Sequence, residues 1–104
     1  MGNFQRLLKR HGGDWSDFKI WTDKCERQGG QGKRLLDAYQ ASLRRCEIYE
    51  SALQTWIMRH VDDGDFETAL RAKGKRLAEL QAASVATLER VFAAYRRDRG
   101  QRGG

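Results

Sequence analysis

The sequence contains no proline, and its glycines gather mostly between or beyond periodic segments. Because proline breaks helices and a β fold needs many turns, this distribution favours uninterrupted helices. Cys25 and Cys46 are too few for a disulfide framework, so we expect a reducing, cytoplasmic setting. No apolar run approaches the ~18 residues of a membrane span, and the segment Met1–Arg6 has no signal-peptide core. We therefore expect neither a membrane segment nor secretion.

The composition indicates one small folded module with a basic character. The chain has 104 residues and a net charge of +6, from 20 Lys and Arg against 14 Asp and Glu. Hydrophobic residues make up 39% and aromatic residues 10%, too many for a disordered chain at this net charge. The length suits a single domain or an oligomer-forming unit.

Hydrophobic periodicity divides the chain into four helical segments. Glycine clusters end the first two segments, and an acidic turn over 62–65 ends the third. The predicted helices span 3–11, 15–28, 33–61 and 66–99. The fold class is therefore all-α, with N-terminal helices over 3–28 packed on a helical hairpin over 33–99. A basic, glycine-rich tail over 100–104 is expected to be flexible.

The two long helices should pack as antiparallel neighbours, because the turn between them is short. Residues whose numbers sum to about 127 then lie opposite each other, which pairs Leu36 with Val91. Gly74 falls opposite Leu53, where a small residue would let the helices approach. The predicted core and oligomerisation residues are Leu36, Tyr39, Leu43, Leu53, Trp56, Ile57, Leu70, Leu77, Leu80, Leu88, Val91 and Phe92.

The apolar face of this hairpin is too wide for the short N-terminal helices to cover. Exposed apolar surface of this extent is typical of an assembly interface. We therefore predict a homo-oligomer, and specifically a ring.

No motif for catalysis or cofactor binding is present. Gly29–Arg34 lacks the Ser or Thr that follows the lysine of a phosphate-binding loop, and no strand precedes it. The turn over 62–65 is too short for a calcium loop. The candidate zinc ligands His11, Cys25, Cys46 and His60 come singly, with no close pair. We predict a non-enzyme with no metal and no cofactor.

The charges are unevenly placed along the predicted hairpin. The turn end is acidic, whereas the open end gathers basic side chains that form a candidate DNA-contact surface: Lys33, Arg34, Arg96, Arg97, Arg99 and Arg102. The contacts expected of such a surface are electrostatic and independent of base sequence. A competing interpretation treats these residues as complements to helix dipoles and as solubilising charge.

Three stretches carry a resemblance to a known family. They are Phe18–Trp21, Leu35–Tyr39 with Leu43–Glu47, and Leu77–Leu80 followed by Leu88. This pattern resembles the small terminase subunits of tailed bacteriophages. The resemblance implies a helical hairpin that builds rings and basic segments that hold DNA for packaging. It also implies a large terminase subunit as partner, which carries the ATPase and nuclease.

Two classes of function therefore follow from the sequence. The first is a non-catalytic, DNA-associated oligomeric subunit. The alternative is a small helical protein–protein adaptor or inhibitor, of a kind that a phage could encode, with no role in nucleic-acid binding.

Overall fold

The computed structural model describes the backbone of residues 2–103 and the side chains of residues 4–100. The chain forms four α-helices, α1 (Gly2–Arg10), α2 (Trp15–Gln28), α3 (Gln31–His60) and α4 (Phe66–Gly103). No strand occurs among residues 2–103. The all-α prediction is confirmed, and α3 and α4 pack against each other as the predicted hairpin. None of these helices is both long and apolar enough to cross a membrane.

Local sequence signals define both ends of α2. The Asp14 side chain caps its start by accepting a 3.4 Å hydrogen bond from the backbone N–H of Asp17. At its end, Gly29 has a φ of 72° and donates its N–H to the Cys25 carbonyl at 2.8 Å. Gly30 also has a positive φ angle, of 86°. These conformations favour glycine and turn the chain directly into α3, which begins at Gln31 rather than at residue 33.

The hydrophobic core lies at the open end of the hairpin, away from the α3–α4 turn. There α1 and α2 cover both long helices. The buried hydrophobic residues of this core are Leu8, Phe18, Trp21, Cys25, Leu88, Val91, Phe92, Ala94 and Tyr95. Aromatic edge-to-face contacts run through it, with the Phe18 ring centroid 5.2 Å from those of Phe92 and Tyr95. We call this part of the molecule the base.

The rest of the hairpin, residues 47–83, projects from the base as an arm. No residue in this range is buried. The molecule is accordingly elongated, with principal extents of 62 × 25 × 18 Å. Of the predicted core set, Leu88, Val91 and Phe92 are buried in the base. The remaining members are half-buried: Leu36, Tyr39, Leu43, Leu53, Trp56, Ile57, Leu70, Leu77 and Leu80.

Two features of α4 differ from expectation. A Cβ at Gly74 would meet no atom within 4 Å, so this exposed glycine does not bring the helices together. That prediction was wrong because Gly74 points away from α3. In addition, α4 continues to Gly103 and does not end near residue 99, since the single Gly100 is tolerated within a helix. Gly104 lies outside the described residues.

Candidate nucleic-acid interface

Two hydrogen bonds fix the C-terminal part of α4 against α2. The Tyr95 hydroxyl donates to Asp17 Oδ2 at 2.6 Å. Trp21 Nε1 donates to Asp98 Oδ2 at 2.9 Å. Because the acceptors are carboxylates, both bonds are stronger than neutral ones. They set the orientation of the arginines that flank Tyr95 and Asp98.

Arg96 and Arg99 lie beside the connection between α1 and α2. Arg96 Nη1 is 3.3 Å from His11 Nδ1. Arg99 Nη1 donates to the Gly12 carbonyl, and Arg99 Nε lies 3.6 Å from Asp17 Oδ2. With His11 and Gly100, the two arginines line an open surface cavity of about 280 Å³. Arg99 therefore has a structural role as well as a charge.

The last turn of α1 adds positive charge that the sequence analysis missed. Lys9 and Arg10 are exposed and immediately precede His11, which contacts Arg96. We call Lys9, Arg10, His11, Arg96 and Arg99 the basic end. The signal was available in the sequence as a Lys-Arg-His run at a predicted helix terminus. Without the fold, nothing indicated that this run meets residues far along the chain.

Lys33 is engaged by two acids. Its Nζ lies 2.8 Å from Glu26 Oε2 and 3.1 Å from Asp37 Oδ1. The hydrogen bonds to Glu26 and then to Asp37 raise the pKa of Lys33 above its ordinary value. A cation already paired with two carboxylates contributes little net attraction for phosphate. Lys33 is therefore the weakest member of the predicted DNA-contact set.

Arg34 and Arg97 lie on another side of the hairpin. Arg97 lines a groove of about 230 Å³ with Gln31 and Leu35 of α3. Arg34 is exposed and lies one turn beyond Gln31. The predicted set is thus divided, with Arg96 and Arg99 beside α1, Arg97 in the α3–α4 groove, and Arg34 one turn along α3 from Gln31 of that groove. The side chain of Arg102 lies outside the described residues.

The candidate zinc ligands of the sequence analysis do not form a group in the described part of the chain. In the described part of the chain, no group of His, Cys, Asp or Glu side chains is arranged to hold a metal ion. Cys25 and Cys46 are buried thiols. His60 Nδ1 lies 2.8 Å from Asp63 Oδ2 at the turn, and its ring stacks on Trp56 with centroids 5.2 Å apart.

No protein-family model, curated protein or solved structure matches this chain.

Proposed function

We propose that this chain is a non-catalytic, DNA-associated subunit that self-assembles and holds duplex DNA for a partner enzyme. The supporting observation is the basic end, where Arg96 and Arg99 of α4 lie beside Lys9, Arg10 and His11 of α1. The resemblance to phage small terminase subunits implies the same role, with a large ATPase and nuclease subunit as the partner.

The chemistry of the basic end suits phosphate and not bases. Four of its side chains are exposed cations, with Lys9 and Arg10 in the last turn of α1 and Arg96 and Arg99 on α4. Binding that replaces counterions on DNA is largely independent of sequence and weakens steeply with salt. Several copies in one assembly would add weak contacts through avidity.

The arm supports the self-assembly part of the proposal. Leu36 packs against the core at the base, and seven-residue steps place Leu43 and Ile57 on the same side of α3. On α4, Leu70 and Leu77 share a side with the buried Val91 in the same way. We call this side the covered face, because α1 and α2 cover it at the base. In the arm it remains half-exposed, and a second copy of the chain would complete it.

The function can be tested with a triple variant of the basic end. Lys9→Gln, Arg10→Gln and Arg96→Gln remove three charges and leave the Arg99 contacts intact. A matched control removes three exposed charges elsewhere, with Arg44→Gln, Arg71→Gln and Lys75→Gln. We expect the first variant to bind a fluorescent duplex more weakly than the control, whatever the base sequence of the duplex. The slope of log binding constant against log salt concentration should be smaller in magnitude by about 3 than that of the parent chain. Equal affinity of the two variants would argue against a basic-end contact.

The adaptor function is the second candidate, and a specific observation favours it. Lys33 is paired with two acids, and the arm presents half-buried apolar residues such as Leu43 and Ile57. On this alternative, the covered face of the arm binds another protein, and the parent chain shows no affinity for DNA at low salt.

A further inference from the structure

The hairpin has a second side that α2 does not cover. Beside α2, a cavity of about 290 Å³ is lined by Phe18, Tyr39 and Leu88 and marks the covered face. Across the hairpin, other residues line two grooves between α3 and α4. The groove at the base is lined by residues that include Leu35, Arg90, Ala94 and Arg97. The groove in the arm is lined by residues that include Tyr49, Ala52, Trp56 and Lys73. We call the side with these two grooves the bare face.

Sequence spacing confirms that the two grooves share one side of the hairpin. Leu35 lines the base groove, and seven-residue steps from it lead to Tyr49 and Trp56 in the arm groove. On α4, the same steps lead from Ala94 in the base groove to Lys73 in the arm groove. Seven residues are close to two helical turns, so each series stays on one side of its helix.

A row of arginines on α3 borders the bare face. Gln31 lines the base groove and Ala52 lines the arm groove. Positions 31, 38, 45, 52 and 59 are seven residues apart, which places Arg45 and Arg59 in the same row. Both arginines are exposed. The spacing therefore places both residues along the α3 border of the bare face.

α4 carries a matching row on the opposite border. Positions 76, 83, 90 and 97 are also seven residues apart, and Arg90 and Arg97 line the base groove. Arg76 continues the row into the arm, where it pairs with Glu79 at 3.4 Å. Lys73 lies between the rows, with its Nζ 5.0 Å from the Trp56 ring centroid.

Two acidic side chains of α3 in the arm, Glu47 and Glu50, lie toward the other side. Glu50 occupies the seven-residue series of Leu43 and Ile57 and therefore belongs to the covered face. Glu47 lies one turn before Glu50. On α3 the arm is thus polarised, with apolar and acidic residues toward the covered face and arginines along the bare face, whereas on α4 the row includes the Arg76–Glu79 pair.

We infer that the bare face binds the phosphate backbone of duplex DNA, with the arginine rows of α3 and α4 following it along the hairpin. From the level of Arg97 to that of Arg59 the rows extend about 40 Å, at 1.5 Å per residue. Duplex DNA carries about one charge per 1.7 Å of its axis, so phosphates are available along the whole length. This inference rests on the proposed function for its partner, but it assigns a separate surface that includes the arm.

A pair of charge-matched variants tests this surface. The row variant carries Arg45→Gln, Arg59→Gln and Arg90→Gln. The control is the triple variant of Arg44, Arg71 and Lys75 described above, which removes the same charge from exposed positions outside the two rows. Arg44 and Arg45 are adjacent, yet about 100° apart around α3. At about 50 mM salt, we expect the row variant to bind a duplex of about 24 base pairs at least about tenfold more weakly than the control. Its salt slope should be smaller by about 3.

A measurement on the parent protein removes any dependence on variant folding. Phenylglyoxal modifies exposed arginines, and peptide mass spectrometry reports the rate at each site. Bound duplex should slow modification of Arg45, Arg59 and Arg90 several-fold, whereas Arg44 and Arg71 should react at the rate of the free protein.

Each remaining outcome contradicts a specific part of the account. Equal loss of affinity for DNA in the row and control variants would show that only the net charge of the chain matters. That result would overturn the assignment of the bare face. Full affinity in the row variant, with loss in the basic-end variant, would overturn the bare face and leave the proposed function standing. Absence of DNA binding by the parent chain at low salt would overturn both.

Discussion

The Tyr95 hydroxyl donates a 2.6 Å hydrogen bond to Asp17 Oδ2 and thereby connects α4 to α2 across the base. Tyr95 is 1% exposed, and its ring meets those of Phe18 and Trp21 edge-to-face. The same carboxylate lies 3.6 Å from Arg99 Nε. One acidic residue therefore supports both the core aromatic and an arginine of the basic end.

Tyr95→Phe should lower the free energy of unfolding by about 1 kcal/mol, because it removes a bond to a partly exposed carboxylate. Urea denaturation measures the change. Tyr39→Phe is the control, since the structure shows no hydroxyl bond for half-buried Tyr39 within the described residues. Equal effects of the two variants would contradict a role for the Asp17 bond.

Stability should also fall at high pH in a way that depends on Tyr95. Burial and then the hydrogen bond to Asp17 raise the pKa of Tyr95 above its ordinary value of 10.0. The folded state therefore holds this proton more tightly than the unfolded state. The resulting stability is fully present below the unfolded pKa and is lost as pH rises through the folded pKa. Above about pH 10, the unfolding free energy should fall less steeply in Tyr95→Phe than in the parent. Identical slopes would contradict the assignment.

Two glycines should respond to alanine in opposite directions. A Cβ at Gly13 would lie 2.6 Å from Leu8 Cδ1 and 2.8 Å from Tyr95 Cε2, so Gly13→Ala should destabilise the base. A Cβ at Gly74 would meet nothing within 4 Å inside α4. Gly74→Ala should therefore stabilise the chain by about 0.5–1 kcal/mol. Thermal denaturation distinguishes the two, and a shift of the same sign in both would contradict this packing.

Self-assembly should depend on the covered face of the arm. Leu43→Gln with Leu77→Gln should shift the chain toward its 12.0 kDa monomer in sedimentation velocity, because the half-exposed apolar surface loses its complementarity. Ile48→Gln with Met58→Gln is the control, since these residues are 63% and 82% exposed and lie outside the covered-face series. A parent that is monomeric at high concentration would contradict the assembly proposal.

Much of the fold could be predicted from local chemistry. Hydrophobic periodicity located all four helices. Asp14 marked the start of α2, and the glycines that begin at Gly29 marked its end. The role of Gly74 could not be predicted from the sequence. Antiparallel pairing shows which residues lie at the same height along the two helices, but it does not show which way each residue points. The curvature and rotation of two long helices decide that, and both depend on tertiary packing.

The candidate site was less predictable than the fold. The sequence was enough to place Arg34 and Arg96 at the same end of the hairpin, because the short turn fixes which residues of the two long helices lie at the same level. Their separation onto different sides depended on where α1 and α2 pack, which no local signal reports. The pairing of Lys33 with Glu26 and Asp37 likewise required the turn between α2 and α3 to be known.

The most direct test of the account is the salt dependence of duplex binding by the parent chain. Fluorescence anisotropy with duplexes of about 24 base pairs and unrelated sequences should give similar affinities at about 50 mM salt. For about six neutralised phosphates, affinity should fall roughly a thousandfold between about 50 and 200 mM salt. Absence of binding at about 50 mM salt, or binding that salt does not weaken, would contradict a DNA-associated function and favour the protein-adaptor alternative.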